Sequence, residues 1–258
     1  MKKQLCAVAL ITTAALGANV QADDFTYLSV GLSLDKSGFL SDTNKTIDNH
    51  KLPTDKQKEG LKAKDSGAGF YLNGSVGFEN NFFAEGRIQN SKAFSNYLLG
   101  VGYHYPLGQK VDFYGLLGMS KRDFNVTPLK VLSNLHFFEN LLATGKITEQ
   151  QADASINALS LESPKELVSI YQDKIQPTVE IGVKARLNDL AGVQVAYRFS
   201  QFGKETIFTE KENLHEGRIV GYYKVTDTLA LEAGYTYNSF SKGTFKDHRG
   251  QVGLRYIF

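Results

Sequence analysis

Apolar and polar residues alternate along most of this chain with a period of two. That is the spacing of a β-strand, whose successive side chains point to opposite faces. Thr178 to Leu187 shows it most cleanly, with Val179, Ile181, Val183, Ala185 and Leu187 on one face and Glu180, Gly182, Lys184 and Arg186 on the other. Ten stretches of this kind can be marked: about Phe25 to Asp35, Ala68 to Phe78, Phe82 to Ser91, Phe94 to Tyr105, Lys110 to Ser120, Thr178 to Leu187, Gly192 to Phe202, His215 to Val225, Thr228 to Phe240, and a closing strand from near Phe245. The closing strand puts Val252, Leu254, Tyr256 and Phe258 on one face and Gln251, Gly253 and Arg255 on the other.

The connectors sort by length. Glu79-Asn80-Asn81, Pro106 to Gln109, Asn188 to Ala191 and Thr226-Asp227 are short and turn-like, and they follow strands two, four, six and eight. The other side receives a long loop (Lys36 to Gly67), a very long insert (Lys121 to Pro177) and three shorter connections. An even strand count puts both ends of the chain on the short-turn side. The pattern predicts an all-β, antiparallel up-and-down barrel of about ten strands, eight being the alternative. Its apolar face points outward, because the other face carries bulky charges that a sealed soluble core would not accept unpaired. Aromatics crowd the strand ends, at Tyr103, Tyr105, Tyr235, Tyr237, Tyr256 and Phe258, as at the interfacial girdles of a membrane barrel.

The long insert leaves the two-residue period. Val131, Leu135, Phe138 and Leu142 recur at helical spacing, and Gly145 stands where a C-cap belongs. Thr148 to Gln151 and Ser163 to Glu166 read as capping boxes opening two further helices, so a helical segment is expected over about 127–176. Ser41 to Lys64, in the first long loop, is rich in charge and poor in apolar residues and reads as a mobile, exposed stretch.

Composition and charge narrow the class. Lys2 and Lys3, the short apolar run Leu5 to Leu16 and Val20-Gln21-Ala22 read as a secretory signal peptide, residues 1–22, ahead of a barrel domain over 23–258. Removing the two lysines takes the formal charge from +2 to about zero, which argues against nucleic acid as a partner. The one cysteine, Cys6, lies in that leader, so the exported chain has no disulfide and no thiolate site. No apolar run approaches the ~18 residues of a transmembrane helix. No catalytic, cofactor or metal constellation stands out among His50, His104, His136, His215 and His248, and Asp247 and His248 point to opposite faces of their strand.

The signal peptide, Gly/aromatic strands such as Leu98-Leu99-Gly100-Val101-Gly102-Tyr103-His104-Tyr105, and the closing Phe258 resemble the small outer-membrane β-barrel proteins of Gram-negative bacteria. These group with the OmpA transmembrane domain, the OmpX/Ail-type barrels and the accessory colonisation factors of vibrios. The resemblance implies an outer-membrane location with both termini periplasmic, and an assembly signal at Tyr256 and Phe258 that the barrel assembly machinery reads. It implies contact with outer-membrane lipid and lipopolysaccharide. Members commonly have eight strands; ten strands and a helical insert depart from that.

The inward face is expected to carry an ionic network of Glu85, Arg87, Asp112, Glu180, Lys184, Arg186, Arg198, Arg218, Lys224, Glu232 and Arg255, filling a narrow lumen. Its positive excess would favour anions if a channel runs through it. The expected role is non-enzymatic, in a monomer: anchoring loops 36–67 and 121–177 for contact with an extracellular ligand, or for envelope integrity. A narrow, porin-like anion-permeable channel is the alternative, and a barrel enzyme acting on lipid A or peptides comes third. No cofactor is expected.

Overall fold

In a computed structural model, the chain is described over residues 25–50, 54–62, 64–91, 94–124, 127–161, 175–202, 212–241 and 246–258. The ten strands are β1 (Tyr27–Ser37), β2 (Ser66–Gly77), β3 (Phe82–Ser91), β4 (Phe94–Leu107), β5 (Val111–Phe124), β6 (Gln176–Arg186), β7 (Ala191–Phe202), β8 (Glu212–Lys224), β9 (Leu229–Phe240) and β10 (Lys246–Ile257). Each pairs antiparallel with its sequence neighbours, and β1 pairs with β10 from Tyr27 opposite Ile257 to Ser37 opposite Asp247, so the sheet closes into a barrel. A strand of 12 residues such as β9, rising ~3.3 Å per residue and tilted ~40°, spans ~30 Å, the thickness of a bilayer's hydrocarbon core. The proposed leader, 1–22, and the third expected helix, beginning near Ser163, lie outside the described residues.

The alternation resolves as an apolar exterior and a polar interior. Leu32, Leu34, Leu99, Val101, Leu117, Met119 and Val252 are each more than 60% exposed, whereas Ser33, Asp35, Glu85, Arg87 and Gln251 are buried. Tyr103, Tyr105, Phe113, Tyr223, Tyr256 and Phe258 ring the end that carries the short turns, and Phe70, Tyr197 and Tyr235 stand outward towards the end that carries the long connections. These are the turn end and the loop end below. No helix among the described residues is long and apolar enough to cross a membrane.

Two expectations are corrected. The fifth strand does not stop at Ser120 but runs to Phe124, so Arg122 belongs to the barrel wall. The first long loop is not a mobile, solvated charge run. It holds helices α1 (Gly38–Asn49) and α2 (Asp55–Leu61), which pack against α3 (Thr127–Ala143) and α4 (Glu149–Leu161) of the insert. Ile47, Leu61, Leu135 and Ile156 form the buried core of this cap, with Phe138 against it. The cap is also held by polar contacts: Gln57 Nε2 donates to Asn157 Oδ1 (2.8 Å), and Lys62 pairs with Asp48 (2.6 Å). Helix α3 ends at Gly145 (φ 69°), where Gly145 and Lys146 amides bond the Leu142 and Leu141 carbonyls, the Schellman arrangement. The expected capping box opens α4: the Thr148 amide donates to Gln151 Oε1 (2.9 Å) and the Gln151 amide to Thr148 Oγ1 (3.3 Å).

Glycine sets the fit of the inner wall. Tyr114 lies opposite Gly182, Tyr222 opposite Gly192, Phe83 opposite Gly102, and Tyr71 opposite Gly31 with Gly253 beyond it. A Cβ on any of these five glycines would run into the aromatic ring that covers it. Bulky rings can thus lie flat against the wall of a lumen too narrow for them to stand upright. Gly115 is the contrasting case, since a Cβ there meets nothing within 4 Å. We expect Gly182→Ala to lower barrel stability by about 1–3 kcal/mol, an overpacking cost, and Gly115→Ala to leave it unchanged. Urea unfolding in lipid vesicles, followed by the gel-mobility difference between folded and unfolded barrel, measures both; equal midpoints would refute the packing account.

Candidate functional site

Strand alternation sends one residue in two into the lumen, and what collects there is charge. Seven buried acids (Asp35, Glu85, Asp112, Glu180, Glu216, Glu232, Asp247) face seven buried bases (Arg87, Arg122, Lys184, Arg198, Arg218, Arg249, Arg255). The expected positive excess is therefore corrected: among the described residues the lining is balanced. Two expected members are also corrected, because both sit where the wall meets solvent at the turn end: Arg186 is exposed and Lys224 half-buried.

Some of the pairs join adjacent strands, and others, Arg87 with Glu180, Arg218 with Glu180 and Arg122 with Asp247, connect strands that are not neighbours. Arg87 on β3 donates to Glu85 (2.6 Å) and reaches across to β6, where its two terminal nitrogens donate to both oxygens of Glu180 (2.6 Å each). Tyr114 Oη also donates to Glu180 (2.9 Å), Gln194 Nε2 donates to Tyr114 Oη (2.6 Å), and Arg218 lies 3.4 Å from the same carboxylate. Glu180 thus gathers two guanidiniums and a phenol from β3, β5 and β8. A second knot joins Arg255 Nε (2.9 Å), Ser29 Oγ (2.8 Å) and Gln251 Nε2 (3.2 Å) to Glu232. Towards the loop end, Arg249 pairs with Asp35 and Gln89, Arg198 with Glu216, and Arg122 with Asp247 (2.8 Å).

Among the described residues, buried side chains crowd both mouths. At the turn end, Phe25 stacks on His104 (4.2 Å between centroids, 17° between planes) and touches Phe83 and Tyr114. Lys184 Nζ stands 3.5 Å over the Phe25 ring, a cation–π contact, and His104 Nδ1 meets Asp112 at 3.3 Å. At the loop end, Leu214, Phe240, Gln176 and Asp247 are buried beneath the level where the helices begin. The lining stays at or below 9% exposure for all fourteen charges from one end to the other, so the lumen is filled by side chains.

The third cluster of interest is the cap. Of its expected apolar stripe, Leu135 is buried in the cap core, Phe138 packs on it and Leu142 is half-buried; the Val131 side chain lies outside the described residues. A cleft between α1 and α3 is lined by Thr46, Asn49, His50, His136, Glu139, Leu142 and Ala143, with His50 Nδ1 2.8 Å from Glu139 Oε1 and the His50 and His136 rings edge to face. Among the described residues no group of three or more metal-ligating side chains could hold a metal. Tyr256 and Phe258 face outward at the turn end, their rings 4.9 Å apart.

Sequence reading missed Asp35, Arg122, Glu216, Asp247 and Arg249. Arg122 lies in a run of charges that reads as loop, and Asp35, Asp247 and Arg249 stand at strand ends. Their parity would have found them: Arg122 is two on from Ser120, Asp247 and Arg249 precede Gln251 at steps of two, and Glu216 is two before Arg218.

Removing one partner of a buried pair leaves the other charge uncompensated, at about 3–5 kcal/mol. Glu180→Gln is expected to cost that much barrel stability, while Glu139→Gln on the cap should cost the barrel nothing measurable. Urea midpoints in vesicles give both numbers, and a Glu180→Gln midpoint matching the unsubstituted chain would contradict the assignment of Glu180 as the centre of the network.

The comparison with known protein families agrees with this architecture. Residues 6–221 match the outer membrane protein beta-barrel domain. Among solved structures, the chain is similar to the NanC porin (7% identity, 89% of this chain and 100% of that one, TM-score 0.41), to the translocator domain of autotransporter NalP from Neisseria meningitidis (10%, 100% and 98%, 0.39), and to Ail, the attachment invasion locus protein of Yersinia pestis (12%, 90% and 97%, 0.32). No curated protein matches it. With a closed ten-stranded barrel, an apolar exterior and a family match over most of its length, the chain belongs to the outer membrane protein beta-barrel domain family of bacterial outer-membrane proteins.

Proposed function

We propose that the protein is a sealed outer-membrane barrel that carries a helical platform at the cell surface, a non-enzymatic anchor for contact with an extracellular ligand or for envelope integrity. The observation that carries this reading is the filled lumen. Its fourteen charges are balanced and buried, and side chains close it at both ends. Barrels of about sixteen to eighteen strands leave an aqueous channel, whereas those near eight are filled by side chains; this one, with ten, lies near the filled end. The alternative, a narrow anion-permeable channel, would need an accessible lining with surplus positive charge, and the described lining has neither.

In this reading the loop end faces outward and both chain ends face the periplasm. The cap is one body built from two loops, since the core of Ile47, Leu61, Leu135 and Ile156 draws on both. A jointly folded pair of loops presents a fixed surface at low entropic cost, which suits recognition better than two independent flexible loops. Catalysis has little support: the His104–Asp112 pair lies under Phe25 at the turn end, away from any substrate arriving at the loop end.

Two experiments test the proposal. Purified protein in planar bilayers is expected to give no regular single-channel steps; their appearance would favour the channel. Deleting 129–175 should leave the barrel heat-modifiable on gels while abolishing attachment of expressing cells to a surface that the intact protein binds. Unchanged attachment by cells carrying the assembled deletion variant would overturn the platform role.

A further inference from the structure

Two helices of the cap, one from each long loop, turn matching faces to a single groove. Thr46, Asn49 and His50 stand at positions i, i+3 and i+4 along α1 and its C-cap. His136, Glu139 and Ala143 stand at i, i+3 and i+7 along α3. Residues so spaced share one helix face, and Leu142 completes the lining. The groove has a volume of about 610 Å³, within the range of small-ligand sites.

The groove is rich in hydrogen-bond acceptors. His50 Nδ1 lies 2.8 Å from Glu139 Oε1. A carboxylate has no proton to give, so Nδ1 carries it, and in the neutral ring Nε2 is then an acceptor. Glu139 Oε2 is an acceptor too, and among the described residues it has no hydrogen-bond partner. Thr46 Oγ1 donates its proton to the Asp42 carbonyl (3.0 Å), which leaves its lone pairs. Asn49 is exposed and adds an amide that can turn its oxygen to a ligand.

Charge narrows the choice further. No lysine or arginine lines the groove, and its one carboxylate is Glu139. Lys45, the lysine of α1, is paired with Asp42 (3.0 Å), and Lys62 with Asp48 (2.6 Å). An acceptor-rich groove with a carboxylate suits a cation that only donates. Ammonium and guanidinium groups are such cations. Leu142 and Ala143 offer apolar surface to the alkyl stem that carries the charge. A polyamine brings several charges to a single carboxylate, whereas a basic side chain brings one.

We propose that this groove binds a basic side chain, arginine or lysine, of a peptide segment on a partner protein. Glu139 Oε2 takes the charge-assisted hydrogen bond, His50 holds the carboxylate in place and offers Nε2, and Leu142 and Ala143 cover the stem. The inference names the partner chemistry of the cap and rests on its reading as a surface platform.

The test follows the histidine ring signals by NMR in the full-length protein, isotope-labelled at histidine, in neutral detergent micelles. The probe is the blocked tripeptide acetyl-Gly-Arg-Gly-amide. Saturable shifts are expected at His50 and His136, and none at His104, which lies under Phe25 at the turn end. The citrulline peptide keeps the shape and loses the charge; Glu139→Gln keeps an oxygen for His50 and loses the charge. Each is expected to weaken binding about tenfold. Ala143→Leu, which fills the groove and leaves the His50–Glu139 pair in place, is expected to weaken it as much. Unmoved His50 and His136 signals, citrulline binding within twofold of arginine, or unchanged affinity in either variant would each overturn the site. Tighter binding of putrescine, an alkyl diamine, would overturn the choice of a peptide side chain. Micelles have no sides, so failure of the platform reading leaves this titration unchanged and shows instead in the attachment of cells carrying the deletion variant.

Discussion

A backbone amide facing hydrocarbon has no water to bond to, and every one left unpaired there costs several kcal/mol. A sheet satisfies that demand only by having no edges, which is why β1 must find β10. The rest follows from closure. Ten strands fix a circumference, the circumference fixes a lumen, and that lumen is narrow enough for side chains to fill. Alternation then dictates that whatever the sequence places at every second position must be accommodated in that space.

Charge is an expensive filling. Burying an ion costs several kcal/mol, recovered only when its partner and remaining hydrogen-bonding capacity are provided for. The described lining meets the first demand by giving each acid a basic partner: Glu180 takes both prongs of Arg87 together with Tyr114, and Glu232 takes Arg255, Ser29 and Gln251. The second it meets in part, since buried atoms such as Glu85 Oε2, Arg198 Nη1 and Arg218 Nε have no side-chain or backbone partner among the described residues. An apolar filling would have been cheaper to bury, but a strand apolar on both faces loses the alternation that tells it which side is membrane. The aromatic rings laid over glycines solve the complementary problem of bulk.

Much of this was legible in the sequence, and the boundary of legibility has a physical cause. A period of two is a local property, so strand number and the inward direction of Glu85, Arg87, Glu180 and Arg255 could be read directly. Strand ends could not, because the Lys121-Arg122-Asp123 run has the polarity of a loop and only its parity with Ser120 marks it as wall. The first loop misled for another reason. Ser41 to Lys64 offers few apolar residues, and Ile47 and Leu61 gain a core only when Leu135 and Ile156 arrive from a loop far along the chain. Cross-lumen partners were equally hidden: Arg87 and Glu180 are 93 residues apart, and which inward residues share a level depends on the stagger of the closed sheet.

The seam between β1 and β10 carries a consequence in time. The ion pair of Arg249 with Asp35 spans 214 residues of sequence, and the contact of Arg255 with Ser29 spans 226. Neither can begin to form until the last strand is in place, so the seam bears the largest loop-closure entropy in the molecule. Until then β1 and the growing strand opposite it expose unpaired edges that would pair with any strand nearby. A barrel stapled at its seam by buried charge is therefore committed once closed and vulnerable before it closes.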